Sequence, residues 1–184
     1  MLSFDQEYDV RKVPMIRRSK VARPAAALGL FAMLTAPGFA ADSYVEEGKY
    51  FTADDVPTYN VKEDGTVDWY TYSGFRRYHS ECHVCHGPDA LGSTYAPALI
   101  ESLKTMSYED FFEVVINGRE RTTADGAISK MPAFGENVNV SCYMDDLYVY
   151  LKARADDAVP RGRPKKREDK PEAAREEENA CRDT

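Results

Sequence analysis

Two cysteines stand three positions apart, Cys82 and Cys85, and His86 follows the second directly. On one helical turn this spacing brings two thiols to the two vinyl groups of a haem. It then sets the next imidazole over the iron as an axial ligand. Zinc is the competing reading: Cys82 and Cys85 would need two more ligands, and Cys142 and Cys181 supply them on paper. Neither of these stands in a second C-x-x-C, and a zinc ribbon seldom leaves an adjacent histidine unused. One covalently attached haem is therefore the favoured cofactor.

A haem iron needs a second axial ligand or keeps an open site. Past residue 40 the candidates are His79, His83, Met106, Met131 and Met144. His79 and His83 lie on the attachment segment itself, too near His86 to reach the opposite haem face, and read as surface or hydrogen-bonding side chains. Met106 precedes a helix cap and Met144 falls in a helical stripe, so both read as packing. Met131 opens the run Met131-Pro132-Ala133-Phe134-Gly135 in a stretch without helical period. A proline-fixed loop there would carry its thioether to the iron. With His86 and Met131 on the iron the site is closed, and the chemistry is one-electron transfer rather than catalysis. The alternative is a haem with an open distal position, a sensor or a catalyst of small molecules. No catalytic acid–base pair is evident.

Three helices must position these residues. The first spans about 69–82, with Phe75, Tyr78 and Cys82 at helical spacing and Gly74 inside it at a cost of about 1 kcal/mol. The second opens on the capping pattern of Ser107 and Asp110, places Tyr108, Phe111, Phe112, Val115 and Ile116 on one face, and stops at Gly118. The third starts near Ser141, with Asp145 and Asp146 early and Lys152 and Arg154 late, an order that suits the helix dipole. Tyr143, Leu147, Tyr150 and Leu151 form its inner stripe. No convincing strand alternation is present, so the fold class is mostly α.

The chain ends differ from this middle. Basic residues from Arg17 to Arg23, the apolar run 25–36 and Gly38-Phe39-Ala40 follow the order of a secretory signal, with cleavage after Ala40 and translation starting at Met1 or Met15. Residues 25–36 are too few to span a bilayer, and no membrane contact is expected beyond the signal. Residues 41–67 read as an irregular extension, 68–158 as the folded domain and 159–184 as a charged, disordered or loosely tethered tail. From Ala41 onward 18 Lys and Arg stand against 28 Asp and Glu, a formal charge of −10. That sign excludes a nucleic-acid binder and suits steering toward a basic docking patch. The cations at 161, 163 and 165–167 read as a solvated linker, with a membrane-surface or partner contact as the alternative, and Arg119 and Arg121 as propionate partners or surface charges.

The order of helix, C-x-x-C-H, proline loop, helix, Met-Pro loop and final helix resembles a class I cytochrome c, with three main helices around one covalent haem. The resemblance implies that Gly74 and Phe75 meet Tyr150 where the first and last helices cross. It also implies that the carbonyl of Pro97, in Tyr95-Ala96-Pro97-Ala98-Leu99, accepts a hydrogen bond from the His86 imidazole. Two further segments, from Asp64-Gly65-Thr66 through Trp69 to Gly74 and from Cys142-Tyr143-Met144 to Tyr150, are similar to the four-cysteine cytochromes of methylotrophic bacteria, including the inducible c-553 type. That likeness implies a periplasmic carrier in methanol or other one-carbon oxidation. Its donor would be a dehydrogenase or another cytochrome, and its acceptor a cytochrome c or terminal oxidase.

Cys142 on its own could be a small buried residue, but Cys181 sits among Glu176, Glu177, Glu178 and Arg182. In an oxidising compartment a Cys142–Cys181 disulfide is the better account, contributing about 4 kcal/mol by restricting the unfolded chain. Pairing of Cys181 with another chain is the alternative.

Overall fold

A computed structural model describes residues 43–122, 126 and 128–182. The signal-sequence reading of residues 1–40 lies outside the described residues. Helices α1 (Trp69–Arg77), α4 (Tyr108–Asn117) and α6 (Met144–Ala155) are the three expected from the periodicity. Short helices α2 (His83–His86), α3 (Leu99–Ser102) and α5 (Val138–Ser141) lie between them, and α7 (Glu172–Arg182) follows.

Each long helix is started by its own sequence. The buried Asp68 carboxylate caps α1 by accepting from the Thr71 amide at 2.8 Å, and the Ser107 hydroxyl caps α4 by accepting from the Asp110 amide at 3.0 Å. Gly118, at φ +73°, ends α4 in a conformation that favours glycine. The first helical run does not stop at Arg77. It passes through a π-helical turn, Tyr78–Cys82, into α2, so one continuous helical path delivers Cys82, Cys85 and His86.

The core sits where α1 crosses α6. Tyr78, Tyr150, Leu147 and Leu151 are almost fully buried there, joined by Phe111 and Val115 of α4 and by Met144. Met144 is thus a packing residue at the start of α6, as its helical position predicts. Phe75 meets Tyr150 edge-on with ring centres 5.7 Å apart, the aromatic contact that the family resemblance implies.

Three expectations are corrected. Strands exist: β1 (Tyr44–Glu46), β2 (Lys49–Phe51) and β3 (Pro57–Thr58) form a small antiparallel sheet, so residues 44–58 are not irregular. Tyr44 faces Phe51 in register and their rings stack at 5.2 Å. These strands have two or three residues, too short for an alternating pattern to be seen. A second correction concerns β5 (Arg119–Thr122) and β6 (Ile128–Met131), which form an antiparallel hairpin in which Met131 faces Arg119. Met131 is therefore the last residue of a strand rather than part of an irregular loop.

The third correction is the tail. Strand β7 (Lys166–Arg167) pairs in parallel with β4 (Thr66–Val67), and α7 lies beyond it with Ala174 buried. The tail orders without large apolar residues because it borrows aromatic faces from α1. Arg167 and Lys170 lie 5.0 and 5.6 Å from the Trp69 ring centre. A disulfide between Cys142 and Cys181 closes the strap and is intramolecular.

Candidate haem site

The attachment turn is held from beneath. Tyr78, with no exposed surface, donates its hydroxyl hydrogen to the carbonyl of Gly87, directly after His86. Ser93 donates to the Cys85 carbonyl, and the Gly92 amide donates to the His86 carbonyl at 2.8 Å. Gly87 and Gly92 both have positive φ, and a Cβ on Gly92 would come within 2.7 Å of the Ala98 amide nitrogen. The loop from 87 to 98 therefore folds back tightly on the helix it leaves.

That closure brings Pro97 to His86. The buried imidazole places Nδ1 2.9 Å from the Pro97 carbonyl oxygen. A carbonyl accepts only, so Nδ1 carries the hydrogen and Nε2 keeps the lone pair that a metal would take. Cys82 is partly buried and Cys85 exposed, and both thiols are unbonded. Burial, aided by Glu81 and Cys85, pushes the Cys82 thiol up to about 12.

Cys82 and Met131 border the same apolar cluster, together with Leu99, Ile100, Met106 and Phe134. The main chain around Met131 is locked onto the end of α4. Phe134 and Gly135 donate to the carbonyls of Val115 and Ile116 at 3.0 and 3.2 Å, and a Cβ on Gly118 would lie 2.6 Å from the Met131 carbonyl oxygen. Met106 also borders the cluster and Met144 is in the core proper.

Other candidates are placed elsewhere. His79 uses Nδ1 on the Phe75 carbonyl at 2.8 Å and stacks on His83 with centres 5.7 Å apart. Arg119 and Arg121 are exposed on β5. Cys142 and Cys181 are bonded to each other, which removes the all-cysteine zinc set. Among the described residues no three His, Cys, Asp or Glu side chains gather to hold a metal ion. Cys82 and Met131 border one apolar cluster, and with Cys85 and His86 on the same helical path as Cys82 they are a donor set that fits a covalent haem.

Asp89 was not singled out by any motif. It stands just after the attachment turn at φ +64°, accepts from the Gly162 amide at 2.6 Å and pairs with Arg161 at 3.0 Å. Arg154 of α6 also reaches its carbonyl oxygen, at 3.3 Å. Burial works to raise the Asp89 carboxyl, but Gly162, Arg161 and Arg154 hold it below the ordinary value. It ties the attachment loop to α6 and to the tail, a long-range role with no local signal.

A C-x-x-C-H turn on a helix that crosses a C-terminal helix at a glycine, with a proline carbonyl on the histidine, defines the class I c-type cytochromes. Comparison with known proteins agrees: residues 71–151 match the family model described as cytochrome c oxidase, cbb3-type, subunit III. The chain is 54% identical over 138 residues to cytochrome c-553I of Paracoccus denitrificans, over 75% of this chain and 61% of that protein. It is 42% identical over 97 residues to cytochrome c-555 of Methylococcus capsulatus (Bath), over 52% of this chain and 72% of that one. The crystal structure of c-type cytochrome XoxG from Methylobacterium extorquens AM1 is similar at a TM-score of 0.70 and 56% identity, covering 77% of this chain and 87% of that one. The chain belongs to the c-type cytochromes, whose haem is covalently bound. Its match spans less than two thirds of the length of cytochrome c-553I.

Proposed function

We propose that this chain is a periplasmic mono-haem electron carrier of methanol or related one-carbon oxidation, and not an enzyme in its own right. Cys82 and Cys85 would hold the haem by thioethers, with His86 and Met131 as the ligands to its iron. Bound haem would supply one-electron cycling of its iron, and a methionine ligand beside histidine would favour the reduced form. His86 is oriented by the Pro97 carbonyl, which fixes its tautomer and leaves Nε2 for the metal. Met131 is presented by a backbone clamped to the end of α4. The observation that carries this reading is the His86–Pro97 bond at 2.9 Å beside two cysteines that form no disulfide.

A dehydrogenase or another cytochrome is the proposed donor, and a cytochrome c or terminal oxidase the acceptor. The likeness to cytochromes c-553I and c-555 and to XoxG supports that placement. Among the described residues no helix is long and apolar enough to cross a membrane. The acidic balance of the chain suits steered encounter with a basic patch.

The test is the absorption spectrum of the exported protein, oxidised and reduced, with carbon monoxide added to the reduced form. Haem retained through acid–acetone extraction, a near-infrared sulfur-to-iron band when oxidised and indifference to carbon monoxide are expected. Ready binding of carbon monoxide would replace the closed-site carrier by a sensor or catalyst. Induction during growth on methanol, with impaired growth on deletion, tests the one-carbon role.

A further inference from the structure

Four cations without a carboxylate partner converge on one outer face of this acidic molecule. Arg163 donates to the Tyr72 hydroxyl, and its guanidinium lies 5.6 Å from the ring centre. Arg167 lies 5.1 Å from the same ring and 5.0 Å from that of Trp69. Lys165 and Arg76 are exposed beside them. Among the described residues none of these four forms an ion pair. The neighbouring Arg161, Lys166 and Lys170 are each paired, with Asp89, Asp64 and Glu178.

Two open hollows of about 440 and 310 Å³ meet at Tyr72 and Arg163. The first is walled by Arg163, Lys165 and Arg167, and the second runs along α1 past Arg76 to His79 and Ser80, just ahead of Cys82. Together they form an elongated groove with an aromatic floor and basic walls. Stacking on Trp69 and Tyr72 fixes the guanidinium groups without neutralising them, so little side-chain freedom is lost when a ligand arrives. Guanidinium forks match carboxylates in bidentate geometry. The length and openness of the groove suit a stretch of polypeptide better than a single small anion.

We propose that this groove docks an acidic, Asp- and Glu-rich segment of the redox partner, leading it toward the haem-attachment segment. The partner's role rests on the electron-carrier reading, but docking itself is read by binding alone.

The experiment titrates the full-length holocytochrome with a short polyglutamate peptide at low salt, followed by backbone amide shifts and calorimetry. Saturable shifts at Tyr72, Arg76, Arg163 and Lys165 are expected, weakening steeply with salt. The variant R76E/K165E changes two exposed charges and leaves both ring stacks intact. It should bind the peptide at least tenfold more weakly with an unchanged haem spectrum. Equal affinity in that variant, or no saturable shifts in the groove, would overturn the proposal. So would inorganic phosphate occupying the same residues as tightly as the peptide, or binding to phosphatidylglycerol vesicles without binding to the peptide. The haem spectrum and its carbon monoxide response decide the carrier reading separately.

Discussion

A Cβ placed on Gly74 would lie 1.8 Å from the carbonyl oxygen of Asp146 and 2.7 Å from Cβ of Tyr150. Helices α1 and α6 therefore cross in backbone contact, and the glycine cost within α1 is the condition of that approach. Because both obstacles are rigid, Gly74→Ala must separate the helices. We expect it to lower stability by at least about 3 kcal/mol, with reduced yield of holoprotein. Urea unfolding of the reduced cytochrome measures this, and a change under about 1 kcal/mol would refute the crossing geometry.

Met131 is tested both at its side chain and through its backbone clamp. Met131→Ala should keep the haem covalently bound, abolish the near-infrared band, open the iron to carbon monoxide and lower the reduction potential. Gly118→Ala acts on the clamp, since a Cβ there is strained at φ +73° and meets the Met131 carbonyl oxygen at 2.6 Å. It should cost about 1–3 kcal/mol and weaken the band without deleting the ligand. If Met131→Ala leaves the spectrum untouched, Met106 becomes the ligand to test.

The disulfide joins positions 39 residues apart. Replacing both partners, Cys142→Ala with Cys181→Ser, should cost about 2–4 kcal/mol and expose α7 to proteolysis near residues 168–172. The haem spectrum should stay as it was. Limited proteolysis followed by mass spectrometry reads this directly, and an unchanged digestion pattern would show that the ring stacks and the β4–β7 pairing hold the tail without the bond.

Asp146 gives a pH dependence. Burial pushes its carboxyl up to about 8, against lowering contributions from the Ser73 hydroxyl and Lys49, with Asp145 and Glu177 raising it further. The folded state then holds a proton that the unfolded state releases near pH 4. Stability from this group is full below that value and falls as pH rises toward 8, by up to about 1.4 kcal/mol per unit. Lys49 is raised by Asp145 and Glu177 despite its burial, and so stays charged across this window. Asp146→Asn should flatten the slope between pH 5 and 8, as chemical denaturation at several pH values would show. A wild-type slope already flat would mean that Asp146 ionises in place.

The readings that needed only local chemistry were present in the sequence. Cys82, Cys85 and His86 lie on one turn, Ser107 caps its own helix, and Tyr143, Leu147, Tyr150 and Leu151 fall on one buried stripe, because each depends on residues a few positions apart. Resemblance to a family supplied two longer-range contacts, Pro97 on His86 and Phe75 on Tyr150. Tertiary structure decided the rest. The tail is ordered because Arg167 and Lys170 stack on Trp69, about a hundred residues earlier in the chain, and a charged segment carries no sign of the aromatic face it will meet. Met131 ends a strand because Arg119 lies opposite it across a hairpin too short to leave an alternating pattern. Asp89 anchors attachment loop, α6 and tail through partners at 154, 161 and 162 that only folding brings to it. Sequence by itself determines bonds made within a turn of helix, whereas contacts between distant segments depend on how closely two backbones approach, as at Gly74 and Asp146.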